Sequence, residues 1–364
     1  MKLYLHAFDG LTGAHVRQLD FSALSWSESI NEAGSMSATV KDDGRIDPKA
    51  QLRPYGTILA ALDEDNTVRH AGYIKQWTHN RGEGTYSVSA GGGATILAKR
   101  LVLNHALASA WADGTVVIDD DNPPGNWVLT ANGSYSDLIR ALIVETEKWG
   151  ALPITPAAAT GGDKTRTWDS WDLATVADRI SDIGDLDAGP EWRFDPQLST
   201  SWVLSFNQVT SADAGEIVDN TWVWNAVVPA SGVVLGDEDA DGSDMASACY
   251  MTGGKDDDTL LIAHSIGTAL TGAGWPLLQV ADTSHSTVSV LSTLQSYSAA
   301  TVAAGDVPSG SVALTVPATS RVHVGDWANV RYGSGDEDVL ELKVTDVSCA
   351  AKDTTQTLGC RLRG

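Results

Sequence analysis

The sequence predicts an α+β fold that is mainly β, with an antiparallel β-barrel or sandwich domain at each end and a helix-containing middle region. Three observations predict it. Apolar residues alternate with period two from Lys2 to Ala90, recur at helical spacing in three interior stretches, and alternate again from Val312 to Arg363. At 364 residues the chain has room for two or three domains, each with its own core.

In chain order, Lys2–Phe8, Ser35–Lys41, Gly56–Asp63, Val68–Trp77 and Thr85–Ala90 read as short half-buried strands. Asp65-Asn66 and Gly82 to Gly84 supply turn chemistry between them. Pro48 and Pro54 flank a loop, because proline cannot donate to a central ladder. Gly91-Gly92-Gly93 then opens a short helical stretch, Ala94–Leu103, which closes a first domain spanning residues 1–103.

Residues 104–220 form the expected middle domain. Ser136–Trp149 places Leu138, Leu142 and Glu145 on one helical face with Ile139 and Ile143 beside it, with Ser136 as cap and Gly150 and Pro153 beyond its end. Leu173, Val176, Ala177, Ile180 and Ile183 predict a second helix, capped by Asp169 or Ser170 and stopped at Gly184. Trp192–Phe206 returns to alternation as a strand pair bending near Asp195-Pro196.

Residues 221–364 read as a second β-domain. Thr221-Trp222-Val223-Trp224 precedes an acidic stretch, Gly236–Asp244. His285–Ala303 is an inserted helix with Val288, Leu291, Leu294 and Val302 as its buried stripe, and Val312–Val316, Trp327–Tyr332, Val339–Val347 and Thr357–Leu362 are the closing strands. No low-complexity linker separates the parts, so packed domains are expected.

Composition narrows function. Lys and Arg total 24 against 47 Asp and Glu, a net charge of −23, so no basic stripe exists to hold phosphates. Cys249, Cys349 and Cys360 form neither CxxC nor a disulfide framework, and the start, KLYLHAFDGL after Met1, lacks the apolar core of a secretion signal. No 18-residue apolar run calls for a membrane. The 13 tryptophans are scattered along the chain, which suits core and interface filling better than one sugar-binding face.

Catalytic signatures are missing. His6, His15, His70, His79, His105, His264, His285 and His323 show no metal-ligand spacing, and no GxSxG, Walker loop, GxGxxG or SxxK occurs, so no catalytic residue, cofactor or enzymatic activity is assigned. The sharpest acidic motif is Asp237, Asp239 and Asp241 followed by Gly242, which could set alternate oxygens around a calcium ion. Its twelfth position is Ala248, where an EF-hand needs a bidentate glutamate, so a solvated acidic loop stands beside the calcium reading. Asp119–Asp121 and Asp256–Asp258 read as solvated runs.

Several stretches carry a resemblance. Phe21-Ser22-Ala23-Leu24-Ser25-Trp26 with Ser29 to Val40, Tyr55 to Ile58 with Arg69-His70-Ala71-Gly72-Tyr73-Ile74, Gly272 to Leu278, and Val324 to Val330 together resemble minor tail proteins of tailed phages infecting actinobacteria, at the tail-tip baseplate hub of siphophages. Such hubs are similar to the central hub of contractile-tail baseplates.

The resemblance implies two tail-tube-like β-barrel domains per chain, so that a homotrimer continues a six-fold tube. It implies a structural protein of the virion tail tip, made in the host cytoplasm, with the distal tail protein and tail tube above and other tip proteins or the tape measure as neighbours. Phage DNA would pass without specific binding, and an acidic wall would keep that passage repulsive, although solubility accounts for the acidity equally. Two alternatives stand beside it: a hexameric distal tail ring protein, and a carbohydrate-binding host-recognition protein with Trp111, Trp127, Trp168 and Trp171 as stacking platforms.

Overall fold

The computed structural model describes residues 2–362 apart from 45, 109–123, 187–188, 214, 257–258, 287, 307, 334 and 336–337. Its N-terminal part holds β1 (Tyr4–Asp9), β2 (His15–Leu19), β3 (Phe21–Ser29), β4 (Ser35–Lys41), a single turn α1 (Pro48–Gln51), β5 (Thr57–Leu62), β6 (Val68–Asn80) and β7 (Thr85–Gly91). β1 and β5 are buried on both faces, which is why Thr57-Ile58-Leu59-Ala60-Ala61-Leu62 is almost continuously apolar. Leu5, Ala7, Leu59 and Ala61 enter one core with Ile74 and Val88, whereas Phe8, Ile58, Ala60 and Leu62 enter another.

That second core is shared with the middle region: β8 (Val128–Gly133), α2 (Tyr135–Lys148), β9 (Ile154–Thr155), β10 (Lys164–Asp169), α3 (Val176–Gly184), β11 (Trp192–Leu198) and β12 (Leu204–Thr210). α2 turns Leu138, Ile139, Leu142 and Ile143 toward α3's Val176, Ile180 and Ile183. Its cap is Ser134 rather than the expected Ser136. Ser134 Oγ accepts from Asp137 N–H, and the Asp137 carboxylate answers with a bond from Ser134 N–H, a reciprocal box that fixes the first turn two residues earlier. α3 is capped by Thr175, because a 3-10 turn at Ser170–Asp172 and a left-handed Leu173 separate the expected Asp169 and Ser170 from the helix. The stretch expected as a helix at Ala94–Leu103 is a 3-10 segment, Gly93–Lys99, that ends where Arg100 turns extended.

The C-terminal part contains β13 (Thr221–Asn225), β14 (Val234–Asp241), β15 (Ala248–Asp256), β16 (Thr259–Ile266), a single turn α4 (Ala269–Gly272), β17 (Gln279–Asp282), α5 (Leu291–Ala304), β18 (Ser309–Pro317), β19 (Trp327–Arg331), β20 (Val339–Ala350) and β21 (Thr355–Leu362). β15, β16 and β17 make a separate three-stranded sheet with α5 on one side, so that Cys249, Met251 and Ala263 meet Leu294, Tyr297 and Val302. The helix starts at Leu291 instead of His285, because Asp282 captures Ser284 N–H and His285 and holds the preceding residues as a turn. Of the expected stripe, Leu294 and Val302 are buried while Leu291 is exposed.

The fold is mainly β and antiparallel, as expected, but the two β-domains are not separate closed barrels. Among the described residues their strands form one open 13-stranded sheet in the order β14-β18-β21-β20-β3-β4-β7-β6-β5-β1-β2, with β19 also on β20 and β13 parallel to β19. The joint is β20. Its 12 residues pair with β21 from Leu342 to Ser348 across a bulge between Val344 and Asp346, while its first part, Val339–Lys343, also pairs with β19 and its end, Asp346–Ala350, with Ser25–Ser29 of β3.

Candidate functional site

The middle region and both halves of the large sheet meet along a polar seam. Arg193, on β11, is buried, and a buried cation persists only when its donors are matched. Its Nε and Nη2 donate to the two oxygens of Asp195 at 2.6 and 2.9 Å, Nη2 also reaches Asp219, and Nη1 donates to the Val324 carbonyl at 2.5 Å. Burial opposes its charge, but Asp195 and Asp219 outweigh burial and raise its pKa. On β20, the Lys343 ammonium donates to Ile217 O and lies 3.1 Å from Glu191, whose Oε2 also accepts from Ile217 N–H. Asp326 is fully buried and accepts from Trp222 Nε1, His323 N–H and Asn220 N–H.

A second group crosses from the N-terminal strands. His70 Nδ1 is 2.7 Å from Glu28 Oε1, and Ser29 Oγ donates to Asp346 at 2.6 Å. Burial pushes the Glu28 carboxyl up, yet the His70 bond and the nearby charges of His70, His323 and Arg193 bring it below its ordinary value. The Glu28 carboxylate accepts a hydrogen bond from His70 Nδ1, and the ring's other nitrogen, Nε2, is buried without a hydrogen-bond partner. Arg69 donates to the carbonyls of Ala318 and Ser320, and Arg321 reaches Asp63 and Asp65 at 3.0 and 2.9 Å. Between these groups lies a cleft of about 410 Å³ lined by Glu28, Gly34, His70, Gly93, Arg193 and His323. Its cations are already engaged by protein acceptors, so the seam acts as a lock between parts of the chain.

The residues singled out in the sequence lie elsewhere. Asp237, Asp239 and Asp241 belong to strand β14, not to a loop, and its residues from Gly236 onward are exposed. Asp239 accepts from Ser311 N–H and Oγ on the neighbouring strand, and Asp241 accepts from Ser243 N–H. Among the described residues no three His, Cys, Asp or Glu side chains converge as a metal site requires. Trp127 and Trp168 are buried, Trp171 is exposed, and Trp111 lies outside the described residues, as do Asp119–Asp121, Asp257 and Asp258.

Sequence reading missed the seam, because its members come from six distant segments. The available signal was a charge inside an apolar strand: Lys343 between Leu342 and Val344, Arg193 after Trp192, and Arg69-His70 at the start of β6, between Val68 and Ala71. The three thiols offer no nucleophile. Cys249, Cys349 and Cys360 are free and buried, and burial pushes Cys360 up to about 12, opposite to the shift an activated thiolate needs.

No family model matches this sequence, and the comparison with curated proteins also finds no match. Solved structures do match. The 43 kDa tail protein of prophage MuSo2 from Shewanella oneidensis superposes with a TM-score of 0.56 at 10% identity, covering 100% of this chain and 98% of that one. A tail protein from Neisseria meningitidis MC58 gives 0.54 at 12% identity, with 100% and 97% covered. This chain has the fold of phage tail proteins. The tail-protein fold extends to the E. coli c3393 protein, a type VI secretion component with structural similarity to the T4 tail proteins gp27 and gp5, at a TM-score of 0.51 and 10% identity over 95% of this chain and 74% of that one. The resemblance read from Phe21–Val40 and Val324–Val330 thus agrees with the fold of the whole chain.

Proposed function

We propose that the chain is a structural protein of the virion tail, the trimeric tail-tip hub that joins the distal tail tube to the host-facing tip and continues the DNA channel. The observation that carries this reading is the match of essentially the whole chain to tail proteins in fold. In this reading residues 1–103 and 221–364 supply the two tube-like units, residues 104–220 the middle domain, and three copies give the six-fold arrangement of a tube. Partners are further copies of the chain, the distal tail protein and tube above, and tip proteins or the tape measure. The net charge of −23 per copy suits a conduit that DNA passes without adhering. No helix among the described residues is long and apolar enough to cross a membrane.

The mass of the native protein, by light scattering behind a sizing column at micromolar concentration, tests this. Three copies of 38.3 kDa give about 115 kDa, and that mass is expected. A hexamer replaces the hub with the distal ring. A monomer that stays monomeric at high salt, where repulsion between acidic copies is screened, overturns the assembly.

A further inference from the structure

The C-terminal half carries another cleft, of about 370 Å³, on the face of β13, β19 and β20 opposite their core. Its lining is Glu216, Val218, Thr221, Trp327, Asn329 and Glu341. Alternation sets that face: Ala328 and Val330 are fully buried in the core, so Trp327 and Asn329 point the other way. Register brings the neighbours alongside, since Thr221 stands opposite Trp327 and Glu341 opposite Asn329.

The Trp327 ring is a platform. Lys343 Nζ lies 5.3 Å from its centroid and the lysine side chain is 1% exposed, so the ring roofs a buried ammonium on its inner side. Its outer side borders the cleft. Around it stand the Thr221 hydroxyl, the Asn329 amide and two carboxylates, and Arg361 Nη2 donates to Glu216 Oε1 at 2.5 Å, which adds donors to the acceptors at the edge.

These groups select by charge and shape. A cation on the outer face is disfavoured by the ammonium already behind the ring, and an anion by Glu216, Glu341 and the net charge of −23. A wholly apolar ligand would strip water from the carboxylates and the amide and give nothing back. What fits is an uncharged ligand with an apolar face for the ring and hydroxyls at its rim for the side groups. A pyranose has that form, because its axial C–H bonds make its faces apolar while its hydroxyls radiate outward.

We propose that this cleft binds an uncharged oligosaccharide, with one sugar stacked on Trp327 and its hydroxyls held by Glu341, Asn329 and Thr221. The site uses none of Trp111, Trp127, Trp168 and Trp171. It goes beyond the hub reading and does not depend on how many copies assemble.

The test is saturation-transfer NMR titration of the full chain with cellohexaose, maltohexaose and chitohexaose, with hexalysine as the cationic comparison. At least one of the three sugars is expected to bind. Glu341→Ala should weaken that binding about tenfold, the worth of one hydrogen bond to a charged group, and Trp327→Ala by at least as much, while Trp327→Phe keeps a ring and retains part of it. Glu341 is exposed, so its variant is expected to keep the native circular dichroism and separates a lost contact from a lost fold. Three sugars that all fail to bind at about 10 mM, binding unchanged in Trp327→Ala and Glu341→Ala, or hexalysine binding in place of the sugars overturns the proposal. Each of these leaves the hub reading in place, because native mass decides that reading separately.

Discussion

Lys343 Nζ lies 3.1 Å from Glu191 Oε2, although the lysine side chain is only 1% exposed and the two residues stand on opposite sides of the polar seam. The pair fastens the last third of the chain to the middle region. Replacing Lys343 with Met leaves the Glu191 carboxylate without its cation, and a loss of ~3–5 kcal/mol is expected. Adding Glu191→Gln should return part of it. Denaturant midpoints of the two single variants and the double variant check this, and a loss in the double equal to the sum of the two single losses would show that the pair is not coupled.

His6 Nδ1 and His15 Nε2 share one hydrogen bond of 3.0 Å, and Trp202 packs its ring within 5.3 Å of both imidazoles. Burial first, then the neighbouring His15, push His6 from its ordinary 6.5 to about 4. A histidine whose pKa falls on folding is held neutral. Its site is fully stable above pH 6.5 and loses ~1.4 kcal/mol per unit as pH falls toward 4. The stability of the native protein should therefore drop between pH 6.5 and 4 more steeply than that of His6→Gln. Identical slopes would remove His6 from the account.

Gly92 approaches another backbone so closely that a Cβ there would lie 2.0 Å from the Ala33 carbonyl oxygen. Gly92→Ala forces the cleft wall apart and should cost ~1–3 kcal/mol. Gly82→Ala, with nothing within 4 Å, is the matched control and should stay within about 0.5 kcal/mol of native. Thermal midpoints of the two variants give the comparison directly.

All three thiols should resist a disulfide reagent in the folded protein at pH 8 and react together once guanidinium unfolds it, because each is buried with its pKa raised. Counting thiols released with and without denaturant checks this. Rapid release of one thiol from folded protein would mean that its surroundings open locally.

Local elements were legible where a local cause sets them. Ser35–Lys41 is the strand expected from alternation alone, and the helix expected at Ser136–Trp149 is α2 shifted by one residue. β3 was not read as a strand, because in Phe21–Ser29 the polar positions are serines and one glutamate that also suit a loop. The pairing of β3 with β20 was not legible, since register between strands more than 300 residues apart leaves no local pattern. The seam stayed hidden for the same reason: Glu28, His70, Arg193 and His323 acquire partners only when four separate segments close on one another.

The single sheet also sets the order of events at the ribosome. β3 emerges early, but its outer edge stays unpaired until residues 346–350 have been made, and Ser29 must wait 317 positions for Asp346. Contacts that distant make folding slow and leave an open strand edge on the nascent chain through most of synthesis. A chain interrupted before β20 would thus release a β3 edge able to template pairing with another chain, so aggregation of truncated products is built into the way the two halves are joined.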